Sequence, residues 1–167
     1  GCCGSLLVHE GARERALELA RKTIDVFERA GVDMIAVNAA GCGSVMKEYW
    51  ELFHSDRTYA HRAEAFSKKV RDISQILAQQ PMKGGLRELN LTATYHDACH
   101  LAHGQRIRQE PRALLQAIPG LRLVELKESD FCCGSAGIYN LLHPDLAQEF
   151  LNRKIERIKE TGAEVVV

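Results

Sequence analysis

The chain has 167 residues, of which 46% are hydrophobic and 26% are charged, the balance of an ordinary globular protein. Lysine plus arginine equal aspartate plus glutamate at 22 each, so the formal net charge is zero and nothing suggests a nucleic-acid partner, which usually requires a basic face. No apolar run approaches the ~20 residues that span a bilayer, and no signal peptide opens the chain. We therefore expect a cytoplasmic protein, with peripheral attachment at the inner face of the membrane left open, and we expect both ends to continue in a longer protein.

The first predicted elements follow a pair of adjacent cysteines in residues 2–5 (CCGS). A helix is predicted over about residues 12–30, and Gly31 ends it because glycine accepts the left-handed conformation after a helix. A buried strand is predicted over residues 32–37 (VDMIAV), and Cys42 follows it. Tyr49, Trp50 and Phe53 come next at helical spacing, and we interpret these three aromatic residues as core.

A second long helix is predicted over residues 59–79, because its apolar residues recur at intervals of three and four and give one buried face. These residues are Ala63, Phe66, Val70, Ile73 and Leu77. Pro81 and the Gly84-Gly85 pair then mark a linker. We therefore divide the chain into a first repeat over residues 1–80 and a second repeat over residues 81–167.

The second repeat begins with a predicted strand over residues 91–95 (LTATY) and a loop that contains Cys99. A short helix over residues 111–117 and a strand over residues 121–126 lead to the second CCGS unit. After that unit the first half recurs as a helix, a terminating glycine and a strand. These elements cover residues 144–161, Gly162 and residues 163–167.

The alternation of strands and helices predicts an α/β fold. We expect two related CCG repeats with mostly parallel strands, flanking helices and cysteines in loops at the strand ends. Loops at the carboxyl ends of parallel strands are where α/β proteins bind their ligands. The position of the cysteines in the chain is therefore consistent with a binding role.

The six cysteines are the candidate metal- and cofactor-binding residues. Without a secretory signal a disulfide framework is the weaker interpretation, and adjacent cysteines cannot easily bond to each other. Iron–sulfur clusters are held by thiolates, usually four, that converge from separate loops. The cysteines form two sets of three, which are Cys2, Cys3 and Cys42 in the first repeat and Cys99, Cys132 and Cys133 in the second.

Three other interpretations of the cysteines stay open. Any single cysteine could be a core residue, because free cysteine is among the most buried residue types. A zinc site could form if His96, His100 and His103 joined Cys99, although structural zinc sites favour C-x-x-C pairs and the chain has none. A catalytic pair of Cys99 and His100 is also conceivable, but no other feature supplies a substrate pocket.

Four segments of the sequence resemble the cysteine-rich CCG domain family. They are residues 1–11 (GCCGSLLVHEG), 39–49 (AAGCGSVMKEY), 95–105 (YHDACHLAHGQ) and 131–147 (FCCGSAGIYNLLHPDLA). The family occurs in heterodisulfide reductases, lactate-utilisation proteins, anaerobic glycerol-3-phosphate dehydrogenases and the iron–sulfur subunit of glycolate oxidase. The resemblance is strongest to the last of these.

The resemblance implies which cysteines act together. Each family repeat has a lone cysteine, then a CCG pair, then a further cysteine. By this pattern the lone cysteine of the first repeat would precede Gly1, and the final cysteine of the second repeat would follow Val167. Ala39 stands where the heterodisulfide reductase branch has the first cysteine of a C-x-x-C pair, which again matches the glycolate oxidase branch better.

The resemblance also implies a function: an electron-transfer subunit, with no catalytic residue of its own, in a glycolate or 2-hydroxy-acid oxidase complex. Its clusters, expected to be [4Fe–4S] with zinc as the alternative metal, would accept electrons from a flavin-containing subunit and pass them to the respiratory chain. An N-terminal ferredoxin-like region of the same parent chain is the other implied partner. The alternatives are the iron–sulfur subunit of a lactate or glycerol-3-phosphate dehydrogenase or of a heterodisulfide reductase-like complex and, from another class, a zinc-stabilised structural domain.

Overall fold

A computed structural model of the chain describes residues 1–80 and 85–167. Contacts divide the chain into two compact units, Gly1–Ile73 and Ser74–Val167, which are called unit 1 and unit 2 below. The predicted linker residues Pro81 and Gly84 lie outside the described residues. The repeat boundary at residues 80 and 81 therefore stays a prediction.

Unit 1 is built around a two-stranded parallel sheet. Its elements are α1 Ser5–His9, α2 Arg13–Ala30, β1 Ile35–Val37, α3 Ala40–Lys47, α4 Tyr49–Leu52, α5 Ala60–Lys69 and β2 Val70–Asp72, and α6 Ile73–Ala78 begins at its last residue. Strands β1 and β2 pair with Ile35 opposite Val70. The helices bury their apolar faces in one core with these strands. That core contains Leu17, Ala20, Ile24, Ile35, Val45, Met46, Tyr49, Phe53, Ala63, Phe66 and Val70.

Unit 2 is built around a three-stranded parallel sheet. Its elements are β3 Thr92–Thr94, a π-helical turn His100–Gly104, α7 Gln109–Gln116, β4 Arg122–Val124, α8 Tyr139–Leu142, α9 Pro144–Glu160 and β5 Val165–Val166. The strand order is β4-β3-β5, with every pairing parallel. The predicted α/β fold with parallel strands is therefore confirmed in both units.

The long helix that follows the CCG segment in each repeat agrees with the prediction. Helices α2 and α9 begin and end within about one residue of their predicted bounds, and Pro144 occupies the first turn of α9. Gly31 and Gly162, which follow them, both have left-handed backbone conformations. Across residues 1–80 and 85–167, no helix combines the length and the apolar character needed to cross a membrane.

The predicted helix over residues 59–79 is wrong in its middle. The chain leaves the helical path at Val70 and forms β2, so that α5 and α6 are separate helices. Val70 is fully buried, but Ile73 and Leu77 are exposed, so the expected apolar face ends where the strand begins. The local pattern could not show this because β1 supplies the hydrogen bonds of β2 from a distant part of the chain.

The interpretation of the three aromatic residues as core is correct for two of them. Tyr49 and Phe53 are fully buried in the core of unit 1. Trp50 is 48% exposed because it lies between them on the short helix α4, on the side that faces away from the core.

Candidate metal centre

The two CCG segments have the same backbone geometry. The Gly4 N–H donates to the Cys2 sulfur at 3.5 Å, and the Gly134 N–H donates to the Cys132 sulfur at 3.3 Å. Both glycines have positive φ angles, +84° and +91°, which amino acids with a side chain rarely adopt. Each unit thus presents a cysteine sulfur that already accepts a backbone hydrogen bond. Residues 2–4 and 132–134 are called the CCG turns below.

The glycine of each CCG turn also lies against the helix that follows. A methyl group at Gly4 would lie 3.2 Å from the carbonyl oxygen of Ala16, and one at Gly134 would clash with the carbonyl oxygen of Ala147. Ala16 and Ala147 are each the fourth residue of their helix, α2 and α9. The two turns are therefore equivalent in structure as well as in sequence, and positions along α2 and α9 can be paired by counting from these alanines.

In unit 1 the structure brings three cysteines to one cleft. Cys2, Cys3 and Cys42 line a cleft of about 500 Å³, and a hydrogen bond links the side chains of Cys3 and Cys42. Cys42 lies in the first turn of α3, whereas the sequence predicted a loop at this point. The Ser5 hydroxyl donates to the Gly41 carbonyl oxygen at 3.1 Å, which ties the CCG turn to the segment that carries Cys42.

Tyr49 supports the unit 1 site from the core. Its hydroxyl donates to the carbonyl oxygen of Cys3 at 2.6 Å, and its ring stacks on Phe66 with 5.2 Å between centroids. Burial raises the pKa of Tyr49, so the phenol stays a neutral hydrogen-bond donor. The sequence indicated a core aromatic residue here, but nothing in its spacing pointed to a contact with Cys3.

The Cys3 thiol of unit 1 keeps its proton at neutral pH when no cation is present. Burial raises the pKa of the Cys3 thiol to about 11, and the neighbouring thiols of Cys42 and Cys2 raise it as well. Three thiols crowded together repel one another when ionised, so the site favours a positively charged group among them. Metal coordination supplies such a charge and deprotonates a bound thiol.

In unit 2 the three predicted ligands come from two segments. Cys133 lines a cleft of about 370 Å³ together with Gly134, Ser135 and residues of α8 and α9. Cys99 lies immediately before the π-helical turn, with its sulfur 3.6 Å from Nδ1 of His100. Apart from this contact between neighbours, the geometry gives no support to a catalytic cysteine–histidine pair.

Hydrogen bonds and ion pairs join the Cys99 segment to the segment before Cys132. Nδ1 of His96 lies 3.0 Å from the carbonyl oxygen of Ser129, and the N–H of Asp97 donates to the same oxygen at 3.1 Å. Arg108, from the loop before α7, pairs with Asp130 at 3.0 Å. The two segments that carry the second cysteine set are therefore held side by side.

Lys154 anchors the same segment from α9. Its side chain is almost completely buried, and Nζ donates to the carbonyl oxygens of Glu128 at 2.7 Å and Ser129 at 3.1 Å. Burial lowers the pKa of Lys154, while the negative charge of Asp130 and the Cys133 thiol act in the opposite direction. No pattern in the sequence distinguished this lysine from the exposed lysines of other helices.

The donors fit an iron–sulfur cluster better than they fit a preformed metal ion site. All six cysteines are free thiols, and thiolates are the ligands of such clusters. Within residues 1–80 and 85–167, no three cysteine, histidine or acidic side chains are grouped so that they could hold a metal ion as they stand. Each set of three cysteines is also one donor short of the usual four.

The predicted zinc ligands near Cys99 have other contacts. His96 is engaged with Ser129, and Nε2 of His103 lies 3.7 Å from the carboxylate of Asp130. His100 contacts the Cys99 sulfur through Nδ1. These contacts position the segment, and the structure does not gather the three histidines with Cys99 into one group among the residues it describes.

Sequence comparisons place these features in a family. A profile of the CCG cysteine-rich domain matches residues 1–47 and 93–167, which include both CCG turns and all six cysteines. The chain is 38% identical to the probable glycolate oxidase iron–sulfur subunit of Bacillus subtilis (strain 168), over 99% of this chain and 38% of that protein. It is 33% identical to the glycolate oxidase iron–sulfur subunit of Escherichia coli (strain K12), over 100% of this chain and 42% of that protein.

A shorter relative shows the same similarity over most of its length. The chain is 30% identical to lactate utilization protein A of Exiguobacterium sp. (strain ATCC BAA-1283 / AT1b), over 99% of this chain and 68% of that protein. By contrast, the chain spans about two fifths of the length of the two glycolate oxidase relatives. The profile match, these identities and the paired CCG turns show that the chain belongs to the CCG cysteine-rich domain family.

Proposed function

We propose that this chain is the cluster-binding, electron-transfer region of an iron–sulfur subunit in a 2-hydroxy-acid oxidase or dehydrogenase complex. Each unit would hold one cluster, expected to be [4Fe–4S]. The observation that carries the proposal is the pair of equivalent CCG turns, in each of which a backbone N–H already donates to a cysteine sulfur. Such hydrogen bonds are one of the means by which proteins tune cluster potentials.

The proposed ligands are the three cysteines of each set. In unit 1, Cys2, Cys3 and Cys42 line one cleft, and Ser5 and Tyr49 hold the segments that carry them. In unit 2 the ligands would be Cys99, Cys132 and Cys133, from segments that are joined to each other. When bound, the clusters supply one-electron transfer, and the protein's residues bind them and exclude water.

The electron donor would be a flavin-containing subunit that oxidises the hydroxy acid, and the electrons would pass on to the respiratory chain. The names of the relatives support a glycolate-oxidising complex. A lactate-oxidising complex is the second candidate, because the chain covers 68–69% of the length of three lactate utilization proteins. In either complex the substrate chemistry would take place on the partner, since the proposed role of this chain is electron transfer.

Metal analysis under anaerobic conditions tests the proposal. The full-length protein purified without oxygen should be brown and contain iron and acid-labile sulfide in about equal amounts, as iron–sulfur clusters do. Dithionite should bleach its broad visible absorbance. Colourless protein with stoichiometric zinc and no sulfide would instead establish the structural zinc domain and overturn the proposal.

A further inference from the structure

The two cysteine sites differ in charge at one equivalent position. Counting seven residues along α2 from Ala16 reaches Thr23, and the same count along α9 from Ala147 reaches Lys154. Thr23 lines the cysteine cleft of unit 1 and hydrogen-bonds to Tyr49. An uncharged hydroxyl in unit 1 thus stands where unit 2 has an ammonium group.

The ammonium group of Lys154 is buried against the segment that leads into the second CCG turn. The residue is 3% exposed, its hydrogen bonds go to two carbonyl oxygens just before that turn, and it interacts electrostatically with the Cys133 thiol. Within residues 1–80 and 85–167, Lys154 forms no ion pair with a carboxylate. The acidic side chains around it have arginine partners instead, in the pairs Asp97–Arg112, Asp130–Arg108 and Glu128–Arg153.

Burial decides how strongly this charge acts. Solvent and salt screen an exposed charge, but a buried one acts through a medium of lower dielectric constant. Lys22 and Arg153, the residues just before Thr23 and Lys154, are also cationic, but both are exposed. Lys22 lines the unit 1 cleft and Arg153 pairs with Glu128, so solvent screens the first charge and a carboxylate offsets the second. At this position unit 2 therefore has a buried cation that unit 1 lacks.

A cluster gains a negative charge when it is reduced, and a nearby buried cation stabilises the reduced state. Resting on the function proposed above, we propose that Lys154 makes the unit 2 site the more easily reduced of the two cluster sites. Electrons within this chain then reside on the unit 2 cluster in preference to the unit 1 cluster. Lys154 acts as a positioning residue for the turn and as the charge that sets the potential.

The order of the two potentials is measured on full-length protein by redox titration with electron paramagnetic resonance detection. A Cys3→Ser background removes the unit 1 site, and a Cys133→Ser background removes the unit 2 site, which assigns each signal. We expect the unit 2 cluster to have the higher potential. The reverse order would overturn the inference whatever the variants below show.

Substitutions at Lys154 and Thr23 test whether the buried charge causes the difference in reduction potential. Lys154→Met, in the Cys3→Ser background, should reduce the equilibrium constant for one-electron reduction at least tenfold, which is about 59 mV. Lys154→Arg, which keeps the charge, and Arg153→Met, which removes an exposed charge one position away, should each change it by less than about threefold. A Lys154→Met cluster with an unchanged potential would overturn the inference.

The reciprocal substitution covers the case in which Lys154→Met loses its cluster. Thr23→Lys, in the Cys133→Ser background, should raise the equilibrium constant for reduction of the unit 1 cluster at least tenfold. If both exchanged variants lost their clusters, the order of the reduction potentials measured with Thr23 and Lys154 unsubstituted would still decide whether the inference holds. Absence of iron and sulfide from the wild-type protein would contradict the proposed function itself, whereas clusters insensitive to residue 154 would contradict only this inference.

Discussion

The same CCG turn is supported in two different ways in the two units. In unit 1 the turn rests on an apolar core, and the neutral phenol of Tyr49 holds the carbonyl of Cys3. In unit 2 charged side chains hold the segment before the turn, with Lys154 donating to its carbonyl oxygens and Arg108 pairing with Asp130. The two repeats therefore share the geometry of the CCG turn but differ in the packing that supports it.

The paired helices show the same contrast. Ala20 and Ile24 on α2 are completely buried, whereas the equivalent residues on α9, Leu151 and Ile155, are 38% and 37% exposed. A turn that depends on apolar packing loses stability when a core contact is removed. A turn that depends on buried charges loses stability when one partner of a pair is removed, because the other charge is then left uncompensated.

The largest effect is expected from a buried ion pair of unit 2. Asp97→Asn removes the carboxylate that Arg112 binds through two nitrogen atoms, at 2.7 and 2.9 Å. The free energy of unfolding should fall by about 3–5 kcal/mol in urea denaturation. Glu125→Gln, which removes the exposed partner of the same arginine, should cost less than about 1 kcal/mol. Equal losses would show that burial does not govern this network.

The glycines of the two CCG turns should differ in their tolerance of a side chain. Gly134→Ala is expected to cost about 2–4 kcal/mol of unfolding free energy, because left-handed strain adds to a clash with the Ala147 carbonyl. Gly4→Ala carries the strain but only a tight contact with Ala16, so about 1–2 kcal/mol is expected. Denaturant unfolding of the two variants measures the difference, and a larger loss for Gly4→Ala would contradict it.

A smaller effect should follow from removing the phenol that supports unit 1. Tyr49→Phe keeps the ring stacked on Phe66 but leaves the partly buried carbonyl of Cys3 without this donor, at a cost of about 1–2 kcal/mol. Trp50→Phe, on the same helix but exposed, is the matched control and should change stability by less than about 0.5 kcal/mol. If the two substitutions cost the same, the hydrogen bond to Cys3 adds nothing to the stability of unit 1.

The smallest effect concerns pH and a partly exposed carboxylate of unit 2, that of Glu128. Hydrogen bonds from Arg153 and Arg157 lower the pKa of Glu128 to about 2, from an ordinary value of 4.5. The contribution of the Glu128 carboxylate to the free energy of unfolding is therefore complete above pH 4.5 and disappears as the pH falls towards 2. Glu128→Gln should be less stable than wild type at about pH 7, and the gap should narrow between about pH 4.5 and 3. A gap that stayed constant over that range would rule out this linkage.

Local signals were sufficient for much of the fold. Helices α2 and α9 were predicted within about one residue because each combines an apolar face with a terminating glycine. The interruption at β2 was missed because the strand exists through its pairing with β1, which no local window contains. The cysteine sets were evident from spacing and resemblance, and the structure gathers the unit 1 set at one cleft.

The residues that support the cysteines could not be predicted. Tyr49 has the spacing of any core aromatic residue, and only the folded chain brings its hydroxyl to Cys3. Lys154 lies on an amphipathic helix where lysine is usually exposed, and its burial depends on two carbonyl oxygens far away in the chain. Contacts of this kind are made in three dimensions and leave no periodic trace in the sequence.

The iron content of paired serine variants tests most directly whether each CCG turn holds its own cluster. Iron and acid-labile sulfide are measured in anaerobically purified full-length protein carrying Cys3→Ser, Cys133→Ser or both, with far-ultraviolet circular dichroism to confirm folding. We predict that each single variant loses a similar amount of iron and sulfide, and that the double variant loses the sum. Folded variants that retain the wild-type iron and sulfide would contradict the assignment of these cysteines as cluster ligands.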